Sequence, residues 1–146
     1  MRLLVSACLL GVCCRYDGQA RADERVLSLL SRHTLIPVCP EQLGGLPTPR
    51  CPCELRDGRV IARNGADRTA EYRKGAEEAL RLYRLSDCGA AVLKARSPSC
   101  GAGQVYDGTF TGTLREGNGI TADLLIRSGI PVYTEQNLPE GLYDTE

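Results

Sequence analysis

The sequence predicts an α/β sandwich built on a mainly parallel sheet. Short apolar runs without strand-type alternation recur along the chain. Helix-period segments separate them, and Gly- or Pro-rich punctuation bounds each run. Strands that are apolar on both sides need cover on both faces, which is the signature of a parallel sheet between helices.

The elements follow in order. Leu3 to Ala7 is an apolar run rich enough for a first buried strand. Asp23 to His33 carries Val26, Leu27, Leu29 and Leu30 on one side, a helix of about three turns. Leu35 to Val38 is a second buried strand, and the Gly/Pro-rich stretch EQLGGLPTPRCPC reads as a loop. Glu54 to Arg63 holds Asp57-Gly58 between extended runs, a hairpin signal. Asp67 or Thr69 can cap a long helix whose stripe is Tyr72, Ala76, Ala79, Leu80 and Tyr83. Ala90 to Leu93 is a third buried strand, and Val105 to Leu114 is a second hairpin around Asp107-Gly108. Asn118 or Thr121 can cap a short helix through Ile126, with Gly129 just past its end, before a last strand at Ile130 to Tyr133. The whole reads as one domain over residues 1–146, a small three-layer sandwich of the Rossmann-like type. Strand order is not encoded in these patterns.

Charge and cysteine content narrow the function. Eighteen basic residues balance eighteen acidic ones, which gives no support for nucleic-acid or membrane binding. The apolar start MRLLVSACLLGVCC is a poor signal peptide, being broken by Ser6 and followed by Arg15 and Asp17. No stretch approaches the roughly 20 apolar residues that span a bilayer. The expectation is a soluble cytoplasmic protein. There, eight cysteines point to metal or catalysis rather than to disulfides. Cys88, beside Gly89 and before an apolar run, is read as a small core residue.

Three cysteines fall where a parallel sheet gathers ligands. Cys8 and Cys39 close the first and second strands, and Cys100 lies in the loop after the third. Right-handed crossovers bring the carboxyl ends of all three strands to one edge. Three thiolates suggest a soft metal centre. Zinc is open as a reading, although structural zinc prefers four ligands. Cys51-Pro52-Cys53 or Cys13-Cys14 could supply a fourth thiolate. A cubane with three protein ligands instead leaves one iron free as a Lewis acid. Glu41 is a candidate acid or base two residues after Cys39, and Ser97 and Ser99 offer hydroxyl contacts. Arg15 and Arg50 are candidates for an anionic substrate group or for bracing loops. His33, the single histidine, falls away from these motifs and is read as structural.

The segments Ser6-Ala7-Cys8-Leu9-Leu10-Gly11, Arg15-Tyr16-Asp17-Gly18, Pro37-Val38-Cys39-Pro40-Glu41, Gly44 to Arg50, Leu93-Lys94 and Ser97-Pro98-Ser99-Cys100-Gly101 form one ordered series. The series resembles the DUF523 family, which includes the 2-thiouracil desulfidases, and runs from Val5 to Glu135. The resemblance implies a Rossmann-like fold and a [4Fe-4S] cluster held by Cys8, Cys39 and Cys100. It implies a free fourth iron that takes the sulfur of a thiolated base or nucleotide, with Glu41 and Ser97 acting on substrate. It also implies replacement of that sulfur by oxygen from water without net redox change. Cys13, Cys14, Cys51 and Cys53 are additions to the family pattern, and a fourth thiolate from among them would close the open iron. The competing expectation is a non-catalytic iron–sulfur or redox-sensing protein. A cysteine nucleophile at Cys100 is the weakest reading, since no histidine lies near it in sequence.

Overall fold

A computed structural model describes residues 1–143. Its centre is a four-stranded parallel sheet of β1 (Arg2–Ser6), β2 (Thr34–Val38), β5 (Ala90–Leu93) and β8 (Val132–Thr134), in the order β2-β1-β5-β8. β1 is central, with Leu3 opposite Leu35 on one side and Ala90 on the other. On the far side of β5, Val92 pairs with Tyr133.

The lack of alternation in these strands has the expected cause. Leu3, Val5, Ala90 and Val92 face one core with Val26 of the first helix and Leu29 of the turn that follows it. Leu4, Ala91 and Leu93 face a second core with Ala79, Leu80, Ala122 and Leu125 from two others. The strand residues Leu3, Leu4, Val5, Val92 and Leu93 are fully buried, so the sheet is the middle of three layers.

The helices are α1 (Glu24–Ser28), α2 (Pro40–Leu43), α3 (Thr69–Leu85) and α4 (Ile120–Arg127). α1 starts where the sequence places it, with the Asp23 carboxylate accepting from Arg25 N and Val26 N at 3.0 and 3.1 Å. It is shorter than the three turns expected and runs on as a 3₁₀ turn over Leu29–Ser31. Ser28 Oγ and Ser31 Oγ donate back to the carbonyls of Arg25 and Ser28, which competes with the regular ladder. At α3 neither expected residue is the cap: that position is Arg68, without a side-chain cap bond, while Asp67 accepts from Thr69 N and Thr69 Oγ1 accepts from Val60 N. At α4 the first cap position is Gly119. Asn118 instead accepts from Gly103 N, and Thr121 turns inward to Ser99 Oγ at 2.8 Å.

Two antiparallel hairpins stand beside the sheet. β3 (Cys53–Arg56) and β4 (Arg59–Ala62) turn at Asp57-Gly58 as the sequence indicates. β6 (Gln104–Tyr106) and β7 (Leu114–Glu116) also pair, but a seven-residue loop over 107–113 replaces the tight turn expected at Asp107-Gly108. Helix α2 covers the start of the stretch read as loop. Pro40 fills its first position, where a missing N–H costs nothing, and Gly44 follows its end.

Candidate active site at the carboxyl edge of the sheet

The carboxyl ends of β1, β2, β5 and β8 open into one cavity of about 450 Å³. Each strand end contributes: Cys8 from the 3₁₀ turn after β1, Cys39 at the cap of α2, Cys100 from the turn after β5, and Gln136 beyond β8. Glu41 and Ser97 line the same cavity. Cys8, Cys39, Cys100, Glu41 and Ser97 therefore line one cavity, whereas Ser99, the other serine offered for hydroxyl contacts, does not and is buried against Thr121. Cys14 and Cys53 line it as well, whereas Cys13, Cys51 and Cys88 do not. Cys13 is exposed. His33 lies elsewhere, with Nδ1 3.0 Å from the amino terminus and Nε2 2.7 Å from the Leu142 carbonyl.

The thiols feel one another. Burial raises the Cys8 pKa to about 11, against the pull of Lys94, while Glu41 and Cys39 push it further up. Burial likewise raises Cys100, with Glu41, Cys8 and Cys39 adding to the rise. Cys39 moves the other way, down to about 7, because a hydrogen bond with the Cys14 side chain favours its thiolate. The Cys14 thiol rises correspondingly. Cys14 was legible as an addition to the motif, but its contact with Cys39 depends on the fold of the 11–19 loop.

Glu41 is not a solvated loop carboxylate. Its Oε2 accepts from Arg50 Nη2 at 3.1 Å; the Arg50 side chain is buried and that of Glu41 largely so. Arg50 Nη2 also donates to the Cys14 carbonyl at 2.9 Å, and its Nη1 to Pro47 O and Thr48 Oγ1. Arg50 is thus the brace among the two roles open to it in the sequence. Arg15 also lines the cavity, and its Nη1 is ion-paired with Asp17 Oδ2 at 3.5 Å.

Ser97 Oγ accepts from Ser99 N at 3.1 Å and Cys100 N at 3.0 Å. Both lone pairs are then occupied, leaving the hydroxyl proton to donate. At the end of β5, Lys94 Nζ pairs with Glu135 Oε2 at 2.8 Å, and Glu135 Oε1 accepts from Ala95 N at 2.7 Å. This fixes the start of the loop that carries Ser97 and Cys100. Tyr72, read in the sequence as a helix-stripe residue, reaches both the core and the cavity wall, where it hydrogen-bonds Cys53.

The donor set fits a cluster better than a single ion. Among the described residues, no three Cys, His, Asp or Glu side chains close around one point as a single ion requires. Zinc would need its thiolates at about 2.3 Å from a common centre. A polynuclear cluster takes one thiolate per iron, so its ligands stand apart around a void. Three soft thiols lining a cavity, with Lys94, Arg15 and Arg50 supplying positive charge, suit that arrangement.

The family model described as 2-thiouracil desulfurase matches residues 3–137. The uncharacterized protein YbbK of Bacillus subtilis (strain 168) is 38% identical over 146 residues, spanning 93% of this chain and 97% of that protein. The solved structure of a [4Fe-4S]-dependent thiouracil desulfidase, TudS (DUF523Vcz), is 45% identical with a TM-score of 0.86, and the match covers 95% of this chain and 93% of that one.

Proposed function

Because the chain belongs to the 2-thiouracil desulfurase family, we propose that it is a [4Fe-4S]-dependent desulfidase acting on a thiolated pyrimidine or a related thiocarbonyl compound. The observation that carries this reading is the meeting of Cys8, Cys39 and Cys100 with Glu41 and Ser97 around one cavity.

Cys8, Cys39 and Cys100 would hold the cluster. With three protein thiolates, it supplies an iron free to act as a soft Lewis acid toward a thiocarbonyl sulfur. The remaining work falls to side chains. Arg50 holds Glu41 by Oε2, and no protein donor reaches Oε1 among the described residues. Glu41 Oε1 takes the proton from a water that attacks the thiocarbonyl carbon. Ser97 donates its hydroxyl proton to a ring heteroatom and fixes the ring's angle to that water. Arg15, which lines the cavity beside its partner Asp17, suits an oxygen acceptor on the substrate, as a nucleotide would carry. The balance is hydrolytic: water and a thiocarbonyl give a carbonyl and hydrogen sulfide, and no electrons are exchanged.

The test is anaerobic purification with iron and sulfide counts, followed by incubation with 2-thiouracil. Equimolar sulfide and uracil are expected. Full iron with no sulfide release would instead favour the redox-sensing alternative.

A further inference from the structure

Among the described residues, four that are not glycine have left-handed backbone: Asp57, Asp87, Arg96 and Phe110. Aspartate tolerates that region, and Asp57 sits in a hairpin turn while Asp87 follows a helix end. Arg96 and Phe110 have no such excuse, and both line the cavity. Strain at a bulky residue persists only where the surroundings hold it.

Phe110 is held from several sides. Its N–H donates to Glu54 Oε1 at 3.1 Å, and Gly108 N donates to the same oxygen at 3.0 Å. Glu54 is itself buried in β3. Arg56 Nη2 donates to Gly108 O at 2.6 Å. Hydroxyl contacts of 2.6 to 2.8 Å link Asp107, Thr109, Thr111 and Thr113 along the loop. The Arg63 guanidinium lies 5.4 Å from the centre of the Phe110 ring. A buried carboxylate, a hairpin and a strained backbone together fix one ring at the cavity, and it belongs to the chain's single phenylalanine.

We propose that Phe110 is the stacking surface for the planar ring of the substrate, set by Glu54 and flanked by Arg63, and that it selects flat heteroaromatic thiocarbonyls over open-chain thioamides. The inference rests on the desulfidase reading. A flat ring offers its face to an aromatic surface, whereas an open-chain thioamide has little face to offer. Phe110 therefore acts on binding equally in the ground and transition states.

The test uses anaerobic, iron-loaded protein and the variants Phe110→Ala, Phe110→Leu and Phe110→Tyr. Uracil binding is measured by calorimetry, 2-thiouracil turnover by steady-state kinetics, and iron by direct assay. Phe110→Ala is expected to weaken uracil binding and raise KM by about tenfold, the scale of one base–aromatic stack. It should leave kcat within about threefold and iron content unchanged. Phe110→Tyr should match the parent, and Phe110→Leu should fall between. Unchanged binding in Phe110→Ala, or Phe110→Leu binding as well as Phe110→Tyr, overturns the inference while the desulfidase reading stands. If Phe110→Ala fails to fold, the Leu-to-Tyr ratio decides in the same way. If the parent binds neither uracil nor 2-thiouracil, the desulfidase reading falls and takes this inference with it.

Discussion

Arg50 Nη2 lies 3.1 Å from Glu41 Oε2, and the two side chains are only 6% and 15% exposed. Such a pair contributes little net stability when intact, but loss of one partner strands a charge in a buried place. Arg50→Met is therefore expected to destabilise the protein by about 3–5 kcal/mol in urea unfolding. Glu41→Gln is isosteric and keeps an acceptor for Arg50. It should retain full iron and lose roughly 10²–10⁴-fold in turnover if Glu41 moves the proton. Unchanged turnover in Glu41→Gln would assign the proton transfer to another group.

The contact between Cys14 and Cys39 gives metal-free protein a distinctive pH response. The Cys39 thiolate is favoured, so its pKa lies near 7 rather than near 9. Its contribution to stability is full above about pH 9 and is lost as pH falls through 7. Cys8 is raised to about 11, so its contribution is full below about pH 9 and is lost as pH rises through 11. Together these two thiols give a stability maximum near pH 9. Timed iodoacetamide labelling with peptide mapping should show Cys39 reacting with a midpoint near pH 7 and Cys8 protected at pH 8. Cys14→Ala should move the Cys39 midpoint upward. In loaded protein, Cys14→Ser should keep its iron, whereas Cys39→Ser should lose it. Iron loss in Cys14→Ser would make Cys14 a ligand.

Much of this site was legible because parallel topology does the gathering. Once Leu3–Ala7, Leu35–Val38 and Ala90–Leu93 are read as buried strands, Cys8, Cys39 and Cys100 fall on one edge by chain direction alone. The first strand is shifted by one residue from Arg2–Ser6, and Ala90–Leu93 agrees at both ends. What stayed hidden depends on contacts between distant segments. The brace from Arg50 to Glu41 needs the 44–50 loop to fold back on α2, and nothing in GGLPTPR alone aims that guanidinium. Helix α2 was hidden by its own composition, although Pro40 at the first position and Gly44 after the last are start and stop signals. Phe110 gave no periodic signal because its position is set by Glu54, 56 residues earlier.

Lys94 offers a test of charge near the thiols. Its ammonium pairs with Glu135 and pulls the Cys8 pKa down. Lys94→Met should remove both effects. The pair is partly exposed, so the expected stability loss is only about 1–2 kcal/mol in thermal or urea unfolding. The larger consequence should be weaker iron retention, because a cluster's negative charge would lose a counter-charge. Lys94→Arg should restore retention. Equal chelator-driven iron loss from the parent and Lys94→Met would show that this charge does not stabilise the cluster.

The crossing of α2 and α3 couples helix packing to the site. A Cβ at Gly75 would sit inside the Pro40 carbonyl, and one at Gly44 inside the Glu71 carbonyl. Both obstructions are backbone, which cannot swing aside as a side chain can. Gly75 lies within α3, where alanine would favour the helix by about 1 kcal/mol on propensity alone. Overpacking costs about 1–3 kcal/mol even where neighbours can shift. At this crossing the helices must separate, so the clash outweighs the propensity. Gly75→Ala is therefore expected to destabilise the protein by roughly 2 kcal/mol or more. It should also lower iron content, since α2 carries Glu41 and is capped by Cys39. Gly141→Ala, with open space at its Cβ, is the control and should change neither quantity. A Gly75→Ala protein as stable and iron-replete as the parent would show that α2 can move without disturbing Cys39.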